Sequence, residues 1–152
     1  MKKFQFTLQR LKDYREQELD RQKNALAVLQ GDLKRLEGSL EELKKTTEQQ
    51  SSELTEVCMK GAAATEIAVR KRYIVTLQQE THIREQQIIE KNAEIEKQLS
   101  VVVDATKDVK TLEMLEEKQL EEYHAAEVKE NEQFIEEFVS GQTVREKIES
   151  LG

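Results

Sequence analysis

Protein chemistry needs nucleophiles, acids, bases or metal ligands within reach of one another, and this chain offers few. Its two histidines, His82 and His124, fall on what reads as one helix and would sit roughly 60 Å apart at 1.5 Å per residue. They can neither share a metal nor act as an acid–base pair, and neither has a Cys or carboxylate cluster at ligand spacing. Cys58 is the only cysteine. With no partner it forms no internal disulfide, and without a positioned histidine it reads as a tolerated thiol rather than a nucleophile. The five glycines are scattered and build no phosphate-cradling loop. The residues therefore imply no catalytic group, no metal, no cofactor and no small-molecule substrate, hence no enzyme.

The elements that must carry these residues explain the poverty. The chain has 152 residues, 36% of them charged, with 5% aromatics, no Trp and no Pro. Such a composition suits long helices better than a rounded core. Without proline nothing removes a backbone N–H or clashes with the preceding turn, so helices can run very long. The net charge of −7 argues against nucleic acid, which is bound by neutralising phosphates with Lys and Arg, and equally against an anionic membrane surface. No apolar run reaches membrane-spanning length, and the opening MKKFQFTLQRLKDY lacks the apolar stretch of a signal peptide. The expected compartment is the cytosol.

From Leu26 the apolar residues fall at Leu26, Leu29, Leu33, Leu36, Leu40 and Leu43. Steps alternating between three and four make a heptad seam, the strongest signal in the chain. Extended backwards through Gln22, Leu19, Arg15, Lys12 and Leu8, and forwards through Thr47, Gln50, Leu54 and Val57, the seam is diluted by polar residues. Gly61 and Ala62 to Ala64 then supply no large side chains, and glycine tolerates the left-handed backbone that ends helices. A second seam follows at Ile74, Thr81, Ile88, Ile95, Val102, Val109, Glu116 and Tyr123. Its companions are Leu77, Arg84, Lys91, Gln98, Ala105 and Leu112, with Leu99, Leu115 and Leu120 beside the line to widen it. Val139-Ser140-Gly141 resembles a C-cap before a loose end.

Charge sets the orientation of the pair. Residues 1–24 hold seven basic and four acidic side chains, residues 104–137 four basic and twelve acidic. An antiparallel pairing, with position i facing roughly 127 − i, brings these opposite blocks together. A parallel dimer would stack acid on acid. Single exposed ion pairs contribute only about 0.2–1 kcal/mol, so charge decides direction more than stability. The reading is an all-α fold, two long helices forming an antiparallel coiled-coil hairpin, and a monomer. It is one coiled-coil domain with a helix over about 8–58, a tip at about 59–66, a helix over about 67–139 and a flexible tail over about 140–152.

Three features of the surface invite a partner. Gly31 and Gly38 lie opposite the leucine seam, where each costs about 1 kcal/mol relative to Ala. They read either as drift on an undemanding face or as a place of close backbone approach. Arg70-Lys71-Arg72 beside Tyr73-Ile74 reads either as a solvated helix start or as a docking surface, since exposed aromatics with flanking Arg favour interface hot spots. Phe4, Phe6, Tyr14, Tyr123, Phe134 and Phe138 gather at the open end, where they either clamp the ends or meet a partner.

The opening Lys3-Phe4-Gln5-Phe6-Thr7-Leu8-Gln9-Arg10-Leu11-Lys12-Asp13-Tyr14-Arg15-Glu16 resembles the FliJ family of flagellar export proteins. So do the Tyr73-Ile74-x-x-Leu77 element and the ending Phe134-Ile135-Glu136-Glu137-Phe138. The likeness covers nearly the whole chain in length and element order. The Glu136-Glu137 pair departs mildly from the family's commoner Asp-Glu.

The resemblance implies a soluble component of the type III export apparatus, an antiparallel coiled coil shaped like the stalk of a rotary ATPase. Its helix termini would enter the hole of the hexameric export ATPase FliI and favour ring assembly and activity, and its second helix would touch the linker of the export gate FlhA. Carried over residue by residue, Leu8, Leu11, Tyr14, Arg15, Phe134, Glu137 and Phe138 belong to the ATPase-facing end. Tyr73, Leu77 and Arg84 belong to the gate-facing surface. Leu77 and Arg84 also fall on the seam, so for them the two readings conflict. The implied place is the cytoplasmic face of the inner-membrane export apparatus, with membrane association through partners only. The alternatives are the equivalent stalk of a virulence-type secretion system, an escort module for export chaperones, and a purely structural coiled-coil dimer.

Overall fold

The computed structural model describes residues 1–151 and contains two helices, α1 (Gln9–Lys60) and α2 (Ala64–Leu151), paired as an antiparallel coiled-coil hairpin. No strand occurs among the described residues. α1 ends at Gly61, whose φ of 82° lies in the left-handed region that glycine enters without steric cost. Lys60 stands in the last turn of α1 and Glu66 in the first turn of α2, each matching the sign of its helix end. The carbonyl of Ala63 accepts the first helical bond of α2, from the Ile67 N–H at 3.2 Å.

The chain packs as two compact units. One holds Leu19–Asp104 and the other Met1–Glu18 together with α2 from Ala105 onward. In the first unit every seam position of α1 from Leu19 to Val57 is buried or half-buried, and so is every seam position of α2 from Ile74 to Val102. The polar members satisfy themselves locally. The Thr47 and Thr81 hydroxyls donate to the carbonyls of Leu43 and Leu77, at 2.7 and 2.8 Å. The Gln98 amide donates to the Gln22 side-chain oxygen at 2.7 Å and to its backbone carbonyl at 3.0 Å. These bonds pair seam groups that would each cost about 1–3 kcal/mol if buried unpaired; the Arg84 Nε, on the same seam, stays buried without a partner. In the second unit Phe6, Val109 and Leu112 are buried.

The structure corrects three expectations. α2 does not stop near Phe138–Gly141 with a flexible tail behind it; it continues as helix through Leu151. Gly141 has no positive φ, so the residue expected to cap the helix sits inside it. In the unit Leu19–Asp104 the facing register is also one turn off 127 − i. Asp32 meets Lys91 at 3.9 Å and Glu53 meets Arg70 at 3.4 Å, where the expected partners were Ile95 and Ile74. The link between the helices is only Gly61–Ala63, so the reversal is centred earlier than assumed. Leu99, expected to widen the seam, is exposed, whereas Leu115 and Leu120 are half-buried as the pattern requires.

Candidate functional site

The unit built on residues 1–18 is closed by an extended strap ahead of α1. Phe4 and Phe6 are two residues apart, which in an extended chain puts both rings on one side. Phe6 is 7% exposed, and the Phe4 ring lies 5.6 Å from that of Tyr123 on α2. The Tyr123 hydroxyl donates to the Lys2 carbonyl, and Thr7 exchanges hydrogen bonds with Gln119 at 3.2–3.3 Å. The Met1 ammonium reaches Glu130 at 3.6 Å. Behind the strap the opposite charge blocks meet as their signs require. Lys12 binds Glu116 at 2.6 Å and Arg15 lies 3.6 Å from Asp108. The hydrogen bond that Lys12 donates to Glu116 raises the Lys12 pKa above the ordinary 10.5; desolvation opposes this, and the charges of Glu116, Glu16 and Glu113 add to it.

Beyond the strap α2 has no cover. Every described residue from Val128 onward is exposed. Phe134 and Phe138 are 70% and 63% exposed, with Ile135, Val139, Val144, Ile148 and Leu151 also in solvent. Glu137 is exposed beside them. In the same unit Leu8, just ahead of α1, and Leu11 and Tyr14 on it are exposed too, and the Arg15 guanidinium stands 5.8 Å over the Tyr14 ring. The residues expected at the ATPase-facing end thus lie in one unit, with their apolar surface unpaired. The six rings divide by role: Phe4, Phe6 and Tyr123 clamp, while Tyr14, Phe134 and Phe138 are free of the core.

The expected gate-facing trio does not form one surface. Tyr73 is 47% exposed, but Leu77 is buried at 5% in the seam against α1 and is unavailable to a partner. Arg84 is half-buried; its Nη1 donates to Gln87 at 2.7 Å while its Nε is buried without a partner. The conflict between seam and surface resolves towards the seam for Leu77. Arg70, in the neighbouring basic cluster, is engaged by Glu53 and Glu66, leaving Lys71 and Arg72 exposed.

Sequence reasoning missed the strap contacts of Lys2, Thr7, Gln119 and Glu130. The Phe-x-Phe spacing just before the helix start was the available signal. Gly31 and Gly38 are exposed, with nothing within 4 Å of an added Cβ, so no backbone of this chain approaches them. Cys58 is exposed, and no group of histidines, cysteines and carboxylates among the described residues could hold a metal. No described helix is long and apolar enough to cross a membrane. No curated protein and no solved structure matches the chain. The family model described as "Flagellar FliJ protein" matches residues 4–147, and by that match over nearly its whole length the chain belongs to the FliJ family.

Proposed function

We propose that the exposed end of α2, together with Leu8, Leu11, Tyr14 and Arg15, enters the central hole of a FliI-like hexameric export ATPase. Membership of the FliJ family makes the chain a non-catalytic stalk component of flagellar type III export, working with the export ATPase and gate complex. What supports the finer reading is the distribution of apolar side chains on that uncovered helix. Phe134, Ile135, Phe138 and Val139 form one stripe; Val144, Ile148 and Leu151 form another. At 3.6 residues per turn the second is rotated from the first by about 140°. A one-sided groove takes a single apolar stripe of a helix, whereas a partner that surrounds the helix covers both.

Tyr73 and Arg84 are proposed to meet a FlhA-like gate, with Leu77 acting from the seam as their support. The chain then works as one coiled-coil domain at the cytoplasmic face of the export apparatus, held there by partners alone. Contacts with export chaperones would add an escort role.

The test is the ATP hydrolysis rate of the cognate export ATPase with and without this protein and its Phe134→Ala/Phe138→Ala variant. Both rings are exposed, so the variant folds normally by circular dichroism. Stimulation by the parent chain that the variant loses supports the reading. Absence of stimulation and of binding removes it and shifts the weight to the gate-docking face around Tyr73.

A further inference from the structure

The uncovered end of α2 carries charge of a single sign around its apolar stripe. From Glu130 to Val144 the chain holds four glutamates and no Lys or Arg, and all four glutamates are exposed. Phe134, Ile135, Phe138 and Val139 span an arc of about 140° around the helix. Glu130 and Glu137 stand about 40–60° outside its Phe134 edge, and Glu132 and Glu136 about 20–60° outside its Val139 edge. Asn131 and Gln142, both uncharged, continue the middle of the arc in either direction. The nearest bases lie off this surface. Lys129 is turned about 150° from the middle of the arc, and Arg145 and Lys147 follow Val139 by roughly 9–12 Å along the axis.

One of these acids already takes a cation: the Met1 ammonium lies 3.6 Å from Glu130. Glu132, Glu136 and Glu137 make no ion pair among the described residues. A partner that buries the stripe draws the carboxylates along both its edges out of water. An apolar or acidic wall would leave them desolvated and uncompensated, whereas a basic one repays the loss.

We propose that the wall closing round this part of α2 is apolar where it meets Phe134, Ile135, Phe138 and Val139 and carries Lys or Arg on both sides of that strip. The inference rests on the ring reading given above and adds the chemistry of the ring's lining. Apolar contact supplies the affinity, and the two acid edges select the surface and set how the helix is turned against it.

Fluorescence anisotropy tests it, with a dye on Cys58, which is exposed and belongs to the other unit. It reads the affinity of the full chain for the cognate export ATPase as the salt concentration is raised. Glu132→Gln/Glu136→Gln/Glu137→Gln is expected to weaken binding about tenfold at physiological ionic strength, the sum of three exposed pairs. It also flattens the loss of affinity with salt, because the screened pairs are gone. Glu37→Gln/Glu48→Gln/Glu56→Gln, exposed on α1 in the unit Leu19–Asp104, changes the net charge equally and leaves affinity and salt dependence as in the parent. Glutamine forms helix as readily as glutamate, so circular dichroism of both variants matches the parent. Parent-like binding by the variant at the end of α2, with Phe134→Ala/Phe138→Ala binding weakly, overturns the basic lining and leaves the ring reading standing. Equal weakening by the α1 variant overturns it too, since net charge alone would then be the cause. No binding by the parent chain, or binding indifferent to both the glutamates and the two phenylalanines, removes the ring reading and this inference with it.

Discussion

Leu77 and Tyr73 stand about one helical turn apart on α2 and answer to different forces. Leu77 is 5% exposed and Tyr73 47%. Truncating a buried leucine removes its transfer free energy and leaves a cavity, a loss of about 2–5 kcal/mol. Leu77→Ala therefore lowers the unfolding free energy measured in urea by an amount at the lower end of that range, since the seam is open to solvent. Tyr73→Ala changes it by less than about 0.5 kcal/mol, as exposed substitutions do. An unchanged midpoint for Leu77→Ala would remove Leu77 from the seam. The opposite assignment was available from the FliJ likeness alone, which put both residues on one surface. The heptad register put Leu77 inside, and that is where the structure has it.

Lys12 offers a pH-dependent check at the same scale. Its folded pKa is raised above 10.5, first by the hydrogen bond to Glu116. The folded chain thus keeps a proton that the unfolded chain releases. The contribution is whole below about pH 10.5 and is lost as pH rises through the folded value. Lys12→Met should flatten the fall of melting temperature with pH in that alkaline range and leave the neutral-to-pH 9 trend unaltered in slope. A parent and variant with parallel alkaline arms would mean that the contact with Glu116 does not persist in solution.

At the scale of elements the glycines separate what was legible from what was not. The leucine run and the tip were readable because spacing and glycine chemistry are local. Gly61 holds φ at 82°, and its Cβ would meet nothing within 4 Å, so Gly61→Ala costs only backbone strain, about 1–2 kcal/mol. Gly31 and Gly38 sit inside α1 with equally open surroundings, so alanine at either stabilises by up to about 1 kcal/mol. Thermal unfolding of the three variants should give opposite signs, and a gain at Gly61 would contradict the left-handed turn. Gly141 shows why the end of α2 was not readable. A glycine that caps a helix and one tolerated inside it carry the same letter, and the interior penalty of about 1 kcal/mol is small enough for a long helix to absorb. The strap was half readable: the paired Phe4 and Phe6 marked an apolar edge, and 127 − i points Phe4 at Tyr123, but the hydrogen bonds that tie the non-helical residues down carry no periodic signal.

For the whole molecule, charge and the seam make the same demand. The basic excess of residues 1–24 and the acidic excess of residues 104–137 are joined within one chain through Lys12–Glu116 and Arg15–Asp108. A parallel dimer would lose these contacts and set twelve acidic side chains against twelve in residues 104–137, while both its seams would face unfamiliar partners. The chain should therefore scatter light as a 17.7 kDa monomer. Because salt screens exposed pairs over a Debye length of about 8 Å at physiological ionic strength, raising it weakens the unit closed by the strap more than the unit closed by leucines. Hydrogen exchange should accordingly quicken with salt in residues 1–18 before it does around Leu26–Leu43. A doubled mass, with exchange at the two regions responding alike, would transfer the charge pairs from within one hairpin to between two chains, and the proposed stalk would have to be rebuilt as a dimer.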